Sequence, residues 1–104
     1  ENAEVYKNQV ASFRKKNPYY KYIAARTAFL GEYYEMSIKR YKEAIRLKGD
    51  EHLFYYGLAL AYLKTGDVKK AETNINMAMQ HSWSDEKKAY YRNALNKLDS
   101  RPVN

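Results

Sequence analysis

Glycine and proline occupy only six positions in this chain, and four of them, Pro18, Gly31, Gly49 and Gly66, cut it into segments of helical length. Between these breakers apolar residues recur at i, i+3, i+4 and i+7, the spacing of one helix face. A many-stranded β fold would need far more turn-forming residues. The expected fold is all-α: about six helices of similar length, joined by very short turns and paired as antiparallel hairpins.

The segments read in order as follows. Ala3 to Lys16 is a first helix with Tyr6, Val10 and Phe13 on one stripe, and with Arg14, Lys15 and Lys16 in the last turn, where the helix dipole favours cations. Asn17-Pro18 ends it and starts a second helix, Asn as cap and Pro at the first helical position. That helix runs to Leu30, with Tyr20, Ala24, Ala25 and Ala28 as a face for close packing, and stops at Gly31. The third runs from Tyr33 to Leu47, burying Ser37, Tyr41, Ala44 and Ile45, and Gly49 is free to take the left-handed conformation that ends a helix. Asp50 is the expected cap of a fourth helix reaching Thr65, and Gly66-Asp67 is the turn into a fifth, Val68 to His81, with Ala71, Ile75, Ala78 and Met79 inward. Ser84 or Asp85 caps a last helix from Glu86 to Leu98, whose stripe is Tyr91, Ala94, Leu95 and Leu98.

Shifted so that Ala25 falls on Ala59, the chain partly overlays itself. The same shift sets Ala44 on Ala78, Ser37 on Ala71, Tyr41 on Ile75 and Tyr20 on Phe54. In the second unit Tyr55-x2-Leu58-Ala59-x2-Tyr62, the Gly66-Asp67 turn and Ala71-x3-Ile75-x2-Ala78 follow one another. This resembles the tetratricopeptide repeat, a two-helix unit of about 34 residues whose pattern is W-x2-L-G-x2-Y followed by A-x3-F-x2-A. Trp83 stands in place of the closing Pro, and in the first unit Lys21 and Ala28 replace the two large aromatics. The resemblance implies one domain over 1–104: an N-terminal helix (3–17), two repeats (18–51 and 52–85) and a capping helix (86–98), stacked as a short right-handed superhelical solenoid. The run from Asn17 to Tyr20, with Asp50 to Ala59, also resembles repeat regions attached to larger bacterial proteins, some with a transglutaminase-like portion. The opening Glu1-Asn2-Ala3-Glu4, with neither Met nor a leader segment, fits a piece of a longer protein.

Composition narrows the chemistry. With no cysteine there is no disulfide, thiolate metal site or Cys nucleophile, and the compartment, cytoplasmic or periplasmic, is left open. No apolar run reaches the roughly 18 residues of a membrane span. His52 and His81 lack metal-ligand spacing, and there is no Gly-rich phosphate loop or nucleophile elbow. The carboxylates Glu32 and Glu35 fall at an expected helix start, where acids are ordinary. Neither an enzyme nor a cofactor is expected.

What remains is a surface. In a stack of this type the first helix of each unit lines the concave face. On the second helix the side turned away from its hairpin partner carries Tyr22, Arg26 and Phe29; on the fourth it carries Tyr56, Leu60 and Leu63, with Lys64 at the edge. Tyr and Arg are frequent energetic anchors at interfaces. The expected function is a non-catalytic interaction module, holding a peptide or helix of a partner protein in that groove, with Arg26 and Lys64 favouring an acidic ligand. The net charge of +7 keeps a second reading open. Lys39, Arg40, Lys42, Arg46 and Lys48, with Lys69, Lys70, Lys87 and Lys88, could track single-stranded nucleic acid. A third reading is a structural or dimerising spacer.

Overall fold

A computed structural model describes residues 16–100. It is all-helical there: α1 (Pro18–Leu30), α2 (Tyr34–Leu47), α3 (His52–Lys64), α4 (Val68–Gln80) and α5 (Asp85–Asp99). Each helix packs on the next in sequence, so α1 and α2 form one hairpin and α3 and α4 a second. The first helices of the two hairpins also touch. The expected helix over Ala3–Lys16 lies outside the described residues except for Lys16, which is helical and is followed by the break at Asn17. Arg101–Asn104 of the expected polar tail lie outside them as well.

Local chemistry sets the boundaries. The Asn17 side chain accepts the Tyr19 backbone N–H at 2.9 Å, and Pro18 follows it. Asp67 accepts the Lys70 N–H at 3.1 Å to start α4, and Ser84 accepts that of Lys87 at 3.2 Å to start α5. Both hairpin turns use one motif. After α1, the Glu32 N–H donates to the Phe29 carbonyl and the Tyr33 N–H to that of Ala28; after α3, Gly66 donates to Leu63 and Asp67 to Tyr62. The pivot is left-handed in both, with φ 67° at Glu32 and 86° at Gly66, and the repeat shift carries one position onto the other. These are paired Schellman closures, one with the usual glycine and one without.

Three sequence expectations need correction here. Gly49 is not left-handed, since the positive-φ residues among those described are Glu32 and Gly66. The chain leaves α2 through an extended Lys48, and the Gly49 carbonyl is tied down by the Tyr55 hydroxyl at 2.6 Å. Asp50 does not cap α3; Glu51 does, accepting the Leu53 N–H at 3.3 Å, while Asp50 pairs with Lys48 at 2.9 Å. Asp50 sits one residue too far from the first helical turn. The Tyr20, Ala24, Ala28 side of α1 is not a buried face: Ala25 is enclosed, but Tyr20 is 40% exposed.

The core follows the repeat. Ala25 and Ala59, Ala44 and Ala78, and Ser37 and Ala71 are all fully enclosed, as small residues must be where backbones approach. Tyr41, Leu58, Tyr62 and Ile75 fill the space between them. Ser37, the polar member, donates its hydroxyl to the Ala25 carbonyl at 2.9 Å, which joins α2 to α1. The sharpest fit is at Gly57 in the middle of α3. A Cβ there would run into the ring of Tyr41, so glycine is what lets α2 seat against α3. No buried side-chain nitrogen or oxygen among the described residues lacks a partner.

Candidate functional site: the cleft between the third and fifth helices

The first helices, α1, α3 and α5, share one side of the molecule. Tyr22 of α1 sets its ring 5.3 Å from Phe54 and 6.0 Å from Tyr41, so it is half committed to packing. The exposed Arg26 guanidinium lies 5.7 Å from the Tyr22 ring. Phe29 meets Tyr34 edge-on at 5.5 Å. These three residues make the α1 part of the strip.

The α3 part faces something else. Tyr56, Leu60 and Leu63 form one wall of an open cavity of about 430 Å³, with Ile75 of α4 behind them and Tyr90, Asn93, Ala94, Lys97 and Leu98 of α5 opposite. Tyr22, Arg26, Phe29 and Lys64 are not among the residues that line it. The seven residues expected from sequence therefore divide. Three line a walled cleft, and the others stay on the open strip beside it.

The α5 wall escapes the sequence reading because α5 reads there as a cap. A signal for it is present all the same: Tyr22, Tyr56 and Tyr90 recur at the repeat period, and the same shift carries Leu60 to Ala94 and Lys64 to Leu98. On this side α5 behaves as the first helix of a further unit.

Polarity is graded across the cleft. The floor and lower walls are aliphatic. At one end the Tyr56 and Tyr90 hydroxyls sit 3.3 Å apart, and the Tyr56 ring also packs at 5.1 Å on Tyr91. Burial first, and then the Tyr90 hydroxyl, hold the Tyr56 phenol neutral far into the alkaline range. Burial likewise pushes Tyr91 up to about 12. Asn93 and Lys97, one turn apart on α5, supply the polar rim, and Lys97 is the one charged residue in the lining. Lys87 adds a cation 5.5 Å from the Tyr90 ring.

A chain of polar contacts braces the nearby ends of the three first helices. The Tyr19 hydroxyl donates to Glu51 at 2.6 Å, the other Glu51 oxygen lies 3.7 Å from His52 Nε2, and His52 Nδ1 meets the Tyr91 hydroxyl at 2.6 Å. His81 stacks on Tyr55 with the rings 5.3 Å apart. Both histidines thus face tyrosines. Among the described residues no group of three or more His, Cys, Asp or Glu could hold a metal ion, and no helix is long and apolar enough to cross a membrane.

The opposite side is more basic but partly neutralised. Lys39, Lys42 and Arg46 border a shallow groove that also holds Glu35 and Glu43. Glu43 binds Arg40 at 2.8 Å and Lys21 at 3.5 Å, and the Arg40 hydrogen bond holds its carboxyl below the usual range. Lys42 and Lys70 both sit against the Tyr62 ring.

No protein-family model matches the chain, no curated protein matches it, and no solved structure matches it.

Proposed function

We propose that this chain is a tetratricopeptide-type interaction module that holds an amphipathic helix or peptide of a partner protein, with acidic character, in the α3–α5 cleft. The observation that carries this reading is the cleft itself. It is an open, aliphatic-walled cavity of about 430 Å³, large enough for one or two bulky side chains, with tyrosine hydroxyls, an amide and a lysine at its edge. A pocket of this kind suits an apolar anchor, and the Lys97 rim with Lys87 nearby favours a carboxylate beside that anchor over a cation. Arg26, on the open strip, extends the same preference toward α1. The repeat reading draws support from the two Schellman turns and from the enclosed Ala25/Ala59 and Ala44/Ala78 pairs, all in step under one shift.

Selection from a displayed library of helical peptides tests this with no natural partner in hand. The expected outcome is enrichment of sequences with bulky apolar residues at i and i+3 or i+4 flanked by Asp or Glu. Binding should be lost in Leu60→Asp, fall about tenfold in Lys97→Glu, and persist in Lys39→Glu on the opposite side. No enrichment, or enrichment indifferent to Leu60→Asp, would overturn the proposal. Tight, steeply salt-dependent binding of single-stranded RNA that is lost in Lys39→Glu would replace it with the nucleic-acid reading.

A further inference from the structure

His52 opens α3 where contacts from α1 and α5 converge. Its Nδ1 lies 2.6 Å from the Tyr91 hydroxyl of α5. Its Nε2 lies 3.7 Å from one oxygen of Glu51, whose other oxygen accepts the Tyr19 hydroxyl of α1. The His52 side chain is 21% exposed and exchanges protons with solvent, whereas Tyr91 is 1% exposed. Tyr91 in turn backs the tyrosine end of the cleft. Its ring packs 5.1 Å from Tyr56 and 5.7 Å from Tyr90, and both of those residues line the cleft. One hydrogen bond therefore connects a histidine outside the lining to two aromatic residues within it.

The direction of that bond depends on the number of protons on the imidazole. A neutral imidazole has one N–H and one acceptor nitrogen. With the N–H on Nε2, it points at the Glu51 carboxylate, and Nδ1 accepts the Tyr91 O–H. The other tautomer would turn a nitrogen lone pair toward the carboxylate. A protonated imidazole has two N–H groups and no acceptor. Nε2–H still faces Glu51, but Nδ1–H now meets the Tyr91 O–H, donor against donor. The phenol must turn its hydrogen elsewhere in enclosed surroundings, and a buried hydroxyl deprived of its acceptor is costly. Histidine is the side chain whose charge ordinarily changes between pH 5 and 8.

The groups around His52 come from three sides. The link before α3 supplies Glu51 in direct contact, with Lys48 and Asp50 paired to each other beyond it. From α1 come the phenols of Tyr19 and Tyr22. From α5 come Tyr91, then Tyr90 with Lys87 against its ring, and the half-buried Lys88 one turn before Tyr91. Glu51 favours the imidazolium, so protonation strengthens one contact of the ring while it reverses the other.

We propose that His52 is a positioning residue for the α3–α5 cleft: neutral, it fixes the tyrosine end through Tyr91, and protonated, it releases that end. For a partner this means tighter binding at neutral than at mildly acidic pH, a consequence that rests on the cleft being the partner site.

Proton NMR of the full chain across the histidine range tests the coupling without a ligand. With His81→Gln as the background, His52 is the remaining imidazole. The ring signals of Tyr56, Tyr90 and Tyr91 should move with the midpoint of the His52 imidazole. In Tyr91→Phe, which keeps the ring and removes the hydroxyl, the Tyr56 and Tyr90 signals should no longer follow it. In His52→Gln, whose amide oxygen can accept the Tyr91 O–H, the three tyrosines should hold still throughout. Tyr56 and Tyr90 signals that ignore the His52 midpoint, or follow it as closely in Tyr91→Phe, would overturn the proposal. A helical peptide from the library selection should bind about threefold or more weaker at about pH 5.5 than at about pH 7.5, with no such loss in His52→Gln. An equal loss in both would also overturn it. A peptide that binds neither chain at any pH refutes the cleft as the partner site, and the ring signals then decide the His52 coupling alone.

Discussion

At the scale of single residues the two repeats act as controls for each other. Gly57 and Tyr41 form the tightest joint, so Gly57→Ala should destabilise the fold by about 1–3 kcal/mol by overpacking, read by chemical denaturation. Tyr41→Leu in the same chain should recover part of that loss. Glu32 holds a left-handed conformation that its counterpart Gly66 adopts freely. Glu32→Gly should therefore stabilise by about 0.5–1 kcal/mol, whereas Gly66→Glu should destabilise by a similar amount. Buried phenols give a pH signature. Tyr41 and Tyr91 are each pushed up to about 12, chiefly by burial, above the value of about 10 for an exposed tyrosine. Their contribution is complete below about pH 10, declines as the unfolded phenols ionise above it, and is lost by about pH 12. Thermal melts should show Tm falling steeply above about pH 10, with a shallower fall in Tyr91→Phe.

At the scale of elements, much is legible because breakers and caps are local. Pro18, Gly31, Gly66 and Ser84 place helix ends within a residue or so of those found. The failures are choices between neighbours that a sequence does not separate. Asp50 and Glu51 are both acids at the start of α3, and only the fold puts Glu51 where one oxygen caps the helix and the other takes the Tyr19 hydroxyl. Glu51→Ala should then cost more than an ordinary cap, about 1–2 kcal/mol, because it also unties α1 from α3; a thermal melt set against Ser84→Ala measures the difference. The left-handed pivot at Glu32 is hidden for a similar reason. Gly31 beside it is the obvious candidate, although the repeat shift back from Gly66 points to Glu32.

At the scale of the whole molecule, the arrangement separates surfaces by role. The repeat spacing commits the enclosed pairs Ala25/Ala59, Ala44/Ala78 and Ser37/Ala71 to packing, and these positions can be read from periodicity. The cleft cannot be read as fully, because it depends on how α5 lies across α3 and α4. Tyr56, Leu60 and Leu63 are visible as a stripe, but Asn93 and Lys97 gain their meaning from the wall they face. The exposed α1 residue Ile23 reads as buried because the repeat shift matches it to a face that α3 does bury. The proposed role of the α3–α5 cleft is to receive the partner. It is tested most directly by amide chemical-shift mapping of the full chain, titrated with a helical peptide from the library selection. Perturbations are expected to centre on Tyr56, Leu60, Leu63, Tyr90, Asn93 and Lys97 and to be abolished by Leu60→Asp. Perturbations centred instead on Lys39, Lys42 and Arg46 of α2 would contradict it.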